Sequence, residues 1–195
     1  RAAAGESGGL AVLARRQSAG RGTQGRGWES PEGNLYLTVL LRPGGAVKDA
    51  PQWGLLAGVA LAETVAALLP DEKALTLKWP NDLLLRGRKL AGILAEASAS
   101  PRGELAWVSL GIGVNLATAP EVPGRQTACL KDEGVPVPTP RGFAVQLLER
   151  LDQWCDRRRA KGFAAGRGGR PPRGPPPRPP APGSPPRGAG GPGGR

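Results

Sequence analysis

From Ala164 to Arg195 the chain has no acidic residue and no apolar side chain larger than alanine, so whatever folds must do so before that point. Those 32 residues hold eleven prolines, ten glycines and six arginines. Ordering a backbone costs roughly 1–2 kcal/mol per residue, and such a segment buries nothing to offset it. The expectation is one domain over residues 1–163 followed by a disordered Gly/Pro/Arg-rich tail over 164–195. Out-of-frame translation of GC-rich DNA yields the same composition and is one reading of the tail's origin.

Charge divides at nearly the same place. Residues 1–156 carry 17 Lys and Arg against all 16 acids, while 157–195 carry ten basic residues and no acid. The formal net charge of +11 therefore belongs to the C-terminal stretch. A basic nucleic-acid-binding fold loses its main support. Histidine is absent, which excludes a His general base, a His-dependent triad and a His-ligated metal. Cys129 and Cys155 form no Cys-x-x-Cys pair and read as two free thiols of a cytoplasmic protein. The longest apolar run, Trp53 to Leu69, contains Glu63 and Thr64 and suits a buried helix better than a membrane span. No signal peptide is visible. The chain opens at Arg1 and lacks Met, so the expectation is a piece of a longer protein without its N-terminal start.

Leu10 to Ala14 is a short apolar run of the kind expected for a buried strand, and Arg15 to Asn34 is a Gly-, Arg-, Gln- and Ser-rich irregular stretch. Leu35 to Leu41 predicts a strand. A helix is expected at about Ala50 to Leu69, with Leu55, Leu56, Val59, Glu63, Ala66 and Leu69 at helical spacing and Pro51 in its first turn. Strands at Leu75–Pro80, Leu83–Leu85, Leu90–Ala97 and Leu105–Leu116 follow, with a tight turn at Arg86-Gly87-Arg88. After a Pro-rich loop, a second helix at about Pro140 to Arg159 carries Phe143, Leu147, Leu151 and Trp154 on one face. This order predicts an α+β fold, a mixed β-sheet with helices packed on one side.

Three segments carry chemistry. In Gln17-Ser18-Ala19-Gly20-Arg21-Gly22-Thr23-Gln24-Gly25-Arg26-Gly27-Trp28, glycines let backbone amides approach a ligand. Arg21 and Arg26 supply bidentate donors for carboxylate or phosphate, and Trp28 a flat wall. A solvated basic loop or a flexible RNA-binding Arg-Gly segment is the plainer reading of that stretch alone. In Lys78-Trp79-Pro80-Asn81-Asp82 and Lys89-Leu90-Ala91-Gly92-Ile93-Leu94, polar residues interrupt apolar strands, and buried polar groups need partners or a ligand. Asn81-Asp82 could equally be plain turn formers. In Gly111-Ile112-Gly113-Val114-Asn115, two glycines on one strand face mark close approach of a ligand or of another backbone.

Taken in order, these motifs resemble the catalytic domain of the biotin–protein ligases over about Leu10 to Phe163. That family reads Gln-Thr-x-Gly-Arg-Gly-x-x-Gly-Arg-x-Trp, Lys-Trp-Pro-Asn-Asp, Lys-x-x-Gly-Ile-Leu and Gly-x-Gly-x-Asn; Ser18 replaces the first Thr. The resemblance implies activation of biotin by ATP and Mg²⁺ to biotinyl-5′-AMP, then transfer to one lysine of a carrier domain. It implies Lys89 and Arg21 as catalytic residues. It implies Gln17, Gly20, Arg21, Gly22, Thr23, Trp28, Lys89, Gly92 and Gly111 around biotin, with Gly92 and Gly111 leaving room for the bicyclic ring. Arg26, Trp28, Asn81, Asp82 and Asn115 fall to ATP; no metal ligand is assigned directly, Mg²⁺ arriving with ATP. Such chemistry joins two anions, so cations and amides matter more than a general base, which suits a chain without histidine.

The implied partner is the biotin carboxyl-carrier domain of acetyl-CoA carboxylase or a related carboxylase, with a homodimer as one option and neither a DNA-binding domain nor a membrane expected. Thr23 stands where many relatives carry a basic residue that closes the loop over the adenylate. The family's upstream Ser-Thr-Asn/Asp segment and its small C-terminal β domain find no match here. Lipoate- or octanoyl-protein ligases and transferases are the alternative on the same fold. A third reading is an inactive ligase-like domain whose basic tail binds RNA or an anionic surface. That third reading predicts RNA binding that falls steeply between low and physiological salt in a filter assay and vanishes in a chain ending at Phe163; equal binding by the shortened chain excludes it.

Overall fold

The computed structural model describes residues 1–161; Gly162, Phe163 and the expected tail lie outside the described residues. Six strands form one sheet: β1 (Ala11–Ala14), β2 (Leu35–Leu41), β3 (Leu75–Lys78), β4 (Asp82–Leu85), β5 (Arg88–Ala99) and β6 (Leu105–Val114). Their order across the sheet is β1-β2-β6-β5-β4-β3, and each neighbouring pair runs antiparallel. Beside the sheet, Thr127 makes one isolated parallel bridge to Lys89. Two helices, α1 (Ala50–Ala66) and α2 (Pro140–Lys161), pack on each other and on one face of the sheet. The α+β layer expected from the order of elements is therefore the fold.

Strand alternation sorts the residues cleanly. In register across β2, β6 and β5, the rows Leu35–Val114–Ala91 and Leu37–Ile112–Ile93 face the helices and are buried. The intervening rows, Tyr36–Gly113–Gly92 and Thr38–Gly111–Leu94, face the other way. The turn at Arg86-Gly87 takes positive φ at both residues, 49° and 77°, the geometry that suits a two-residue hairpin between β4 and β5.

Two expectations shift. β1 forms, but as an edge strand: Val12 and Leu13 remain 47% and 39% exposed, so its apolar run does not mark a buried strand. The buried face of α1 is Trp53, Leu56, Ala57, Ala60, Leu61, Thr64 and Val65, whereas Leu55 and Val59 are half-buried. Trp53, Leu56 and Leu61 share that face with small residues, and a Cβ added at Gly54 or Gly58 would meet Ala95, Leu77 and Ile93 at ordinary contact distances of 3.4 to 3.7 Å. The buried Thr64 hydroxyl donates to the Ala60 carbonyl at 2.8 Å. Glu63, the acid inside the apolar run, accepts a 3.0 Å bond from the Trp154 indole of α2.

The α2 face reads as expected, with Phe143, Leu147 and Leu151 buried. Phe143 has no exposed surface, so Phe143→Ala should lower unfolding free energy by about 3–5 kcal/mol in a urea titration. A loss under about 1 kcal/mol would show that α2 does not close the core.

Candidate active-site cleft

A cleft of about 420 Å³ opens on the sheet face away from the helices. Its floor is the outward rows of β2, β6 and β5, from Tyr36, Gly113 and Gly92 to Thr38, Gly111 and Leu94, with Ser109 and Glu96 at the far end. The volume and the mix of apolar floor with a few polar groups suit a small-molecule ligand.

The glycine-rich segment forms the cleft wall. Its backbone closes on itself: Trp28 N–H donates to the Gly20 carbonyl at 2.9 Å and Gly22 N–H to that of Arg26 at 2.7 Å. Gly20 is required by this closure, since a Cβ there would meet the Trp28 carbonyl oxygen at 2.2 Å. Arg26 turns back onto Thr23, donating to its carbonyl and its hydroxyl, both at 3.2 Å. Gln17 accepts a 2.9 Å bond from the Ser30 hydroxyl.

The Trp28 indole lies on the glycine patch. A Cβ on Gly113 would stand 2.7 Å from the ring, and one on Gly92 would stand 3.1 Å from it. The space over Gly92 thus holds Trp28 and the Lys89 side chain, whereas a Cβ on Gly111 would meet only ordinary contacts beginning at 3.6 Å. The indole N–H has no hydrogen-bond partner among the described residues, and its nitrogen lies against the glycine floor, 2.8 Å from where a Gly113 Cβ would stand.

Lys89 enters through an irregularity. Leu83 pairs with Ala91 but Leu84 with Lys89, so Leu90 is one residue extra in β5. This bulge buries both Leu90 and Ala91 and turns Lys89 toward the cleft. There the ammonium sits 2.6 Å from the Asp82 carboxylate and 5.2 Å from the centre of the Trp28 ring. The main chain of Lys89 is pinned on its other edge, donating to the Gln126 carbonyl at 2.8 Å and accepting from Ala128 N–H at 2.9 Å.

Of the residues singled out in the sequence, Gln17, Arg21, Gly22, Thr23, Arg26, Trp28, Asn81, Lys89, Gly92, Gly111 and Asn115 line this one cleft. Gly20 lies behind the wall, and Asp82 reaches the cleft through Lys89. Asn81 is locked across β5, its side-chain amide donating to the Ile93 carbonyl at 3.0 Å, and Asn115 donates to the Ala128 carbonyl at 3.1 Å. Arg21 lies 3.6 Å from Glu96 in an exposed pair.

Sequence reasoning passed over Tyr36, Thr38, Ser109, Glu96 and Arg125, which also line the cleft. Thr38 carried a signal, being the one polar residue of Leu35–Leu41. Burial pushes the Tyr36 phenol up, against the opposing effect of Asn34, and its hydroxyl donates to the Pro31 carbonyl at 2.7 Å. Burial likewise pushes the free thiols Cys129 and Cys155 up, and neither lines the cleft. Among the described residues no group of three His, Cys, Asp or Glu is placed to hold a metal ion, and no helix is long and apolar enough to cross a membrane.

Cationic side chains and glycines border this cleft, which is of small-molecule size and is built on an antiparallel sheet backed by two helices. Over residues 4–115 the chain matches the Biotin/lipoate A/B protein ligase family, and it belongs to that family. It is 44% identical over 150 residues to the biotin–[acetyl-CoA-carboxylase] ligase of Paracoccus denitrificans, covering 77% of this chain and 61% of that protein. The chain thus spans about three fifths of that relative's length. Its fold is similar to the Leishmania major biotin protein ligase solved with biotinyl-5-AMP, with a TM-score of 0.66, 32% identity, and coverage of 77% and 66% of the two chains. The Aquifex aeolicus biotin protein ligase solved with biotin and ATP gives a TM-score of 0.67 at 30% identity, over 84% of this chain and 67% of that one.

The fit of Trp28 on Gly113 can be measured by a double-mutant cycle. Gly113→Ala should cost about 1–3 kcal/mol in the native sequence and distinctly less beside Trp28→Ala. Equal costs in both backgrounds would mean that the indole does not rest on this glycine.

Proposed function

We propose that residues 1–163 form the catalytic domain of a ligase that activates biotin with ATP and passes it to a lysine of a biotin carboxyl-carrier domain, such as that of acetyl-CoA carboxylase. The observation that carries this reading is Lys89, held by Asp82 and Trp28 in a cleft whose floor includes the glycine backbone of β5 and β6. A biotin carboxylate oxygen attacks the α-phosphorus of ATP; an O–P bond forms, the α–β bridge breaks, and pyrophosphate leaves. The lysine amine of the carrier then attacks the acyl carbonyl, AMP departs, and the amine proton goes to solvent.

In this reading Lys89 and Arg21 neutralise the charge that builds where carboxylate and α-phosphate meet. Gln17, the Gly20-Arg21-Gly22 backbone, Thr23, Trp28, Gly92 and Gly111 hold biotin. Arg26, Trp28, Asn81, Asp82 and Asn115 serve the nucleotide. Mg²⁺ arrives with ATP and supplies further charge neutralisation on the phosphates; Asp82 and Asn81 are the groups that would organise it. The buried free thiols support a cytoplasmic location. A homodimer is compatible with this reading, and the carrier domain is the required partner.

Biotin-dependent exchange between ATP and pyrophosphate tests the first half-reaction, with lipoate and octanoate alongside. Exchange should require biotin, and Lys89→Ala should lower it at least about 100-fold without changing the thermal melt. A preference for octanoate or lipoate would move the chain to the other branch of its family. Undiminished exchange in Lys89→Ala would remove that residue from catalysis.

A further inference from the structure

Four cationic side chains line the cleft: Arg21, Arg26, Lys89 and Arg125. Three are already engaged. Arg21 faces Glu96 at 3.6 Å, Arg26 is bound to Thr23, and Lys89 is paired with Asp82 at 2.6 Å. Among the described residues the Arg125 guanidinium has no ion pair and no hydrogen bond.

The backbone that carries it is nonetheless fixed. Val122 and Arg125 bridge each other, with Arg125 N–H donating to the Val122 carbonyl at 3.0 Å. The Thr127 hydroxyl closes the same loop on the Pro120 carbonyl at 2.8 Å. The neighbouring Gln126 carbonyl accepts from Lys89 N–H, and Thr127 bridges Lys89 in parallel, so this loop is hung on the backbone of Lys89 itself. Arg125 and Thr127, two residues apart, both face the cleft. The loop backbone that carries Arg125 is thereby tied to the strand of Lys89 by main-chain bonds, and Arg125 lines the same cleft as that lysine.

We infer that Arg125 is a binding residue for the β- and γ-phosphates of the nucleotide, the part that leaves as pyrophosphate. This rests on the cleft being a nucleotide site, as proposed above. ATP carries more negative charge than AMP, and Lys89 already has Asp82 as a counter-ion. Of the two cleft cations without a carboxylate partner, Arg26 is hydrogen-bonded to Thr23 and Arg125 has its donors open, so the additional charge falls to Arg125, whose planar guanidinium binds two phosphate oxygens at once.

Titration calorimetry of ATP and of AMP against the full chain tests this without requiring turnover, using Arg125→Gln and Arg125→Lys. The unsubstituted chain should bind ATP more tightly than AMP. Arg125→Gln should weaken ATP about tenfold while leaving AMP unchanged, and Arg125→Lys should recover most of the loss. Equal effects on both nucleotides, no effect on ATP, or no preference for ATP in the unsubstituted chain would each overturn the assignment. An ATP-specific loss in a chain that shows no exchange with biotin would sustain Arg125 and discard the biotin reading alone.

Discussion

A sheet with helices on only one side leaves its other face to be dealt with, and this chain meets that constraint with glycine. On the helix side the rows of Leu, Ile, Val and Ala are closed by α1 and α2. On the opposite side, Gly92 and Gly113 stand beside one another in register and make a patch with no side chains. One large indole, Trp28, can then lie flat where ordinary side chains would hold it off. The loop carrying Trp28 closes on its own backbone, so it arrives as a formed wall. Depth in the cleft comes from what the sheet lacks.

Charge in the cleft follows a related economy. Lys89 is anchored through its side chain to Asp82, and through its main chain to the segment 126–128 on the other edge. That segment is tied down further by Glu133, which receives Arg86 at 3.1 Å and Arg88 at 3.4 Å. The turn before Lys89 and the loop after the last strand therefore hold each other, and the lysine sits between them. Positive groups fixed in place before a ligand arrives need little rearrangement when negative charge develops.

Much of this was legible in the residues. The strands and helices fell where alternation and helical spacing put them, and the three motif segments converge on one cleft although about 100 residues separate Gln17 from Asn115. The misreadings share a cause: periodicity says that a segment has a face, but not what that face meets. Val12 and Leu13 read as core, yet an edge position leaves them open. In α1 the expected face took in Leu55 and Val59, which are half-buried, whereas Trp53, Leu56, Ala57, Ala60, Leu61, Thr64 and Val65 are buried, because helical spacing does not say which way a broad apolar stripe turns toward the sheet. Gly92 lines the cleft as a bare position, and an added Cβ there would stand 3.1 Å from the Trp28 ring and 3.3 Å from the Lys89 ammonium, a crowding that the motif alone does not show. Thr38, Ser109 and Arg125 reach the cleft through pairing and loop closure between distant segments, which local pattern does not encode.

The bulge at Leu90 has a consequence for arithmetic along the chain. Lys89 and Gly92 are three residues apart, an odd number, and in an unbroken strand they would point to opposite sides of the sheet. Both instead border the same cleft. The separation of lysine and glycine in Lys-x-x-Gly is thus a parity signature, and it declares the extra residue before any coordinates do. The two residues between them, Leu90 and Ala91, are both fully buried and must stay apolar and close to their present size. Their count is fixed as well: losing or gaining one residue there would exchange inside for outside along the rest of the strand.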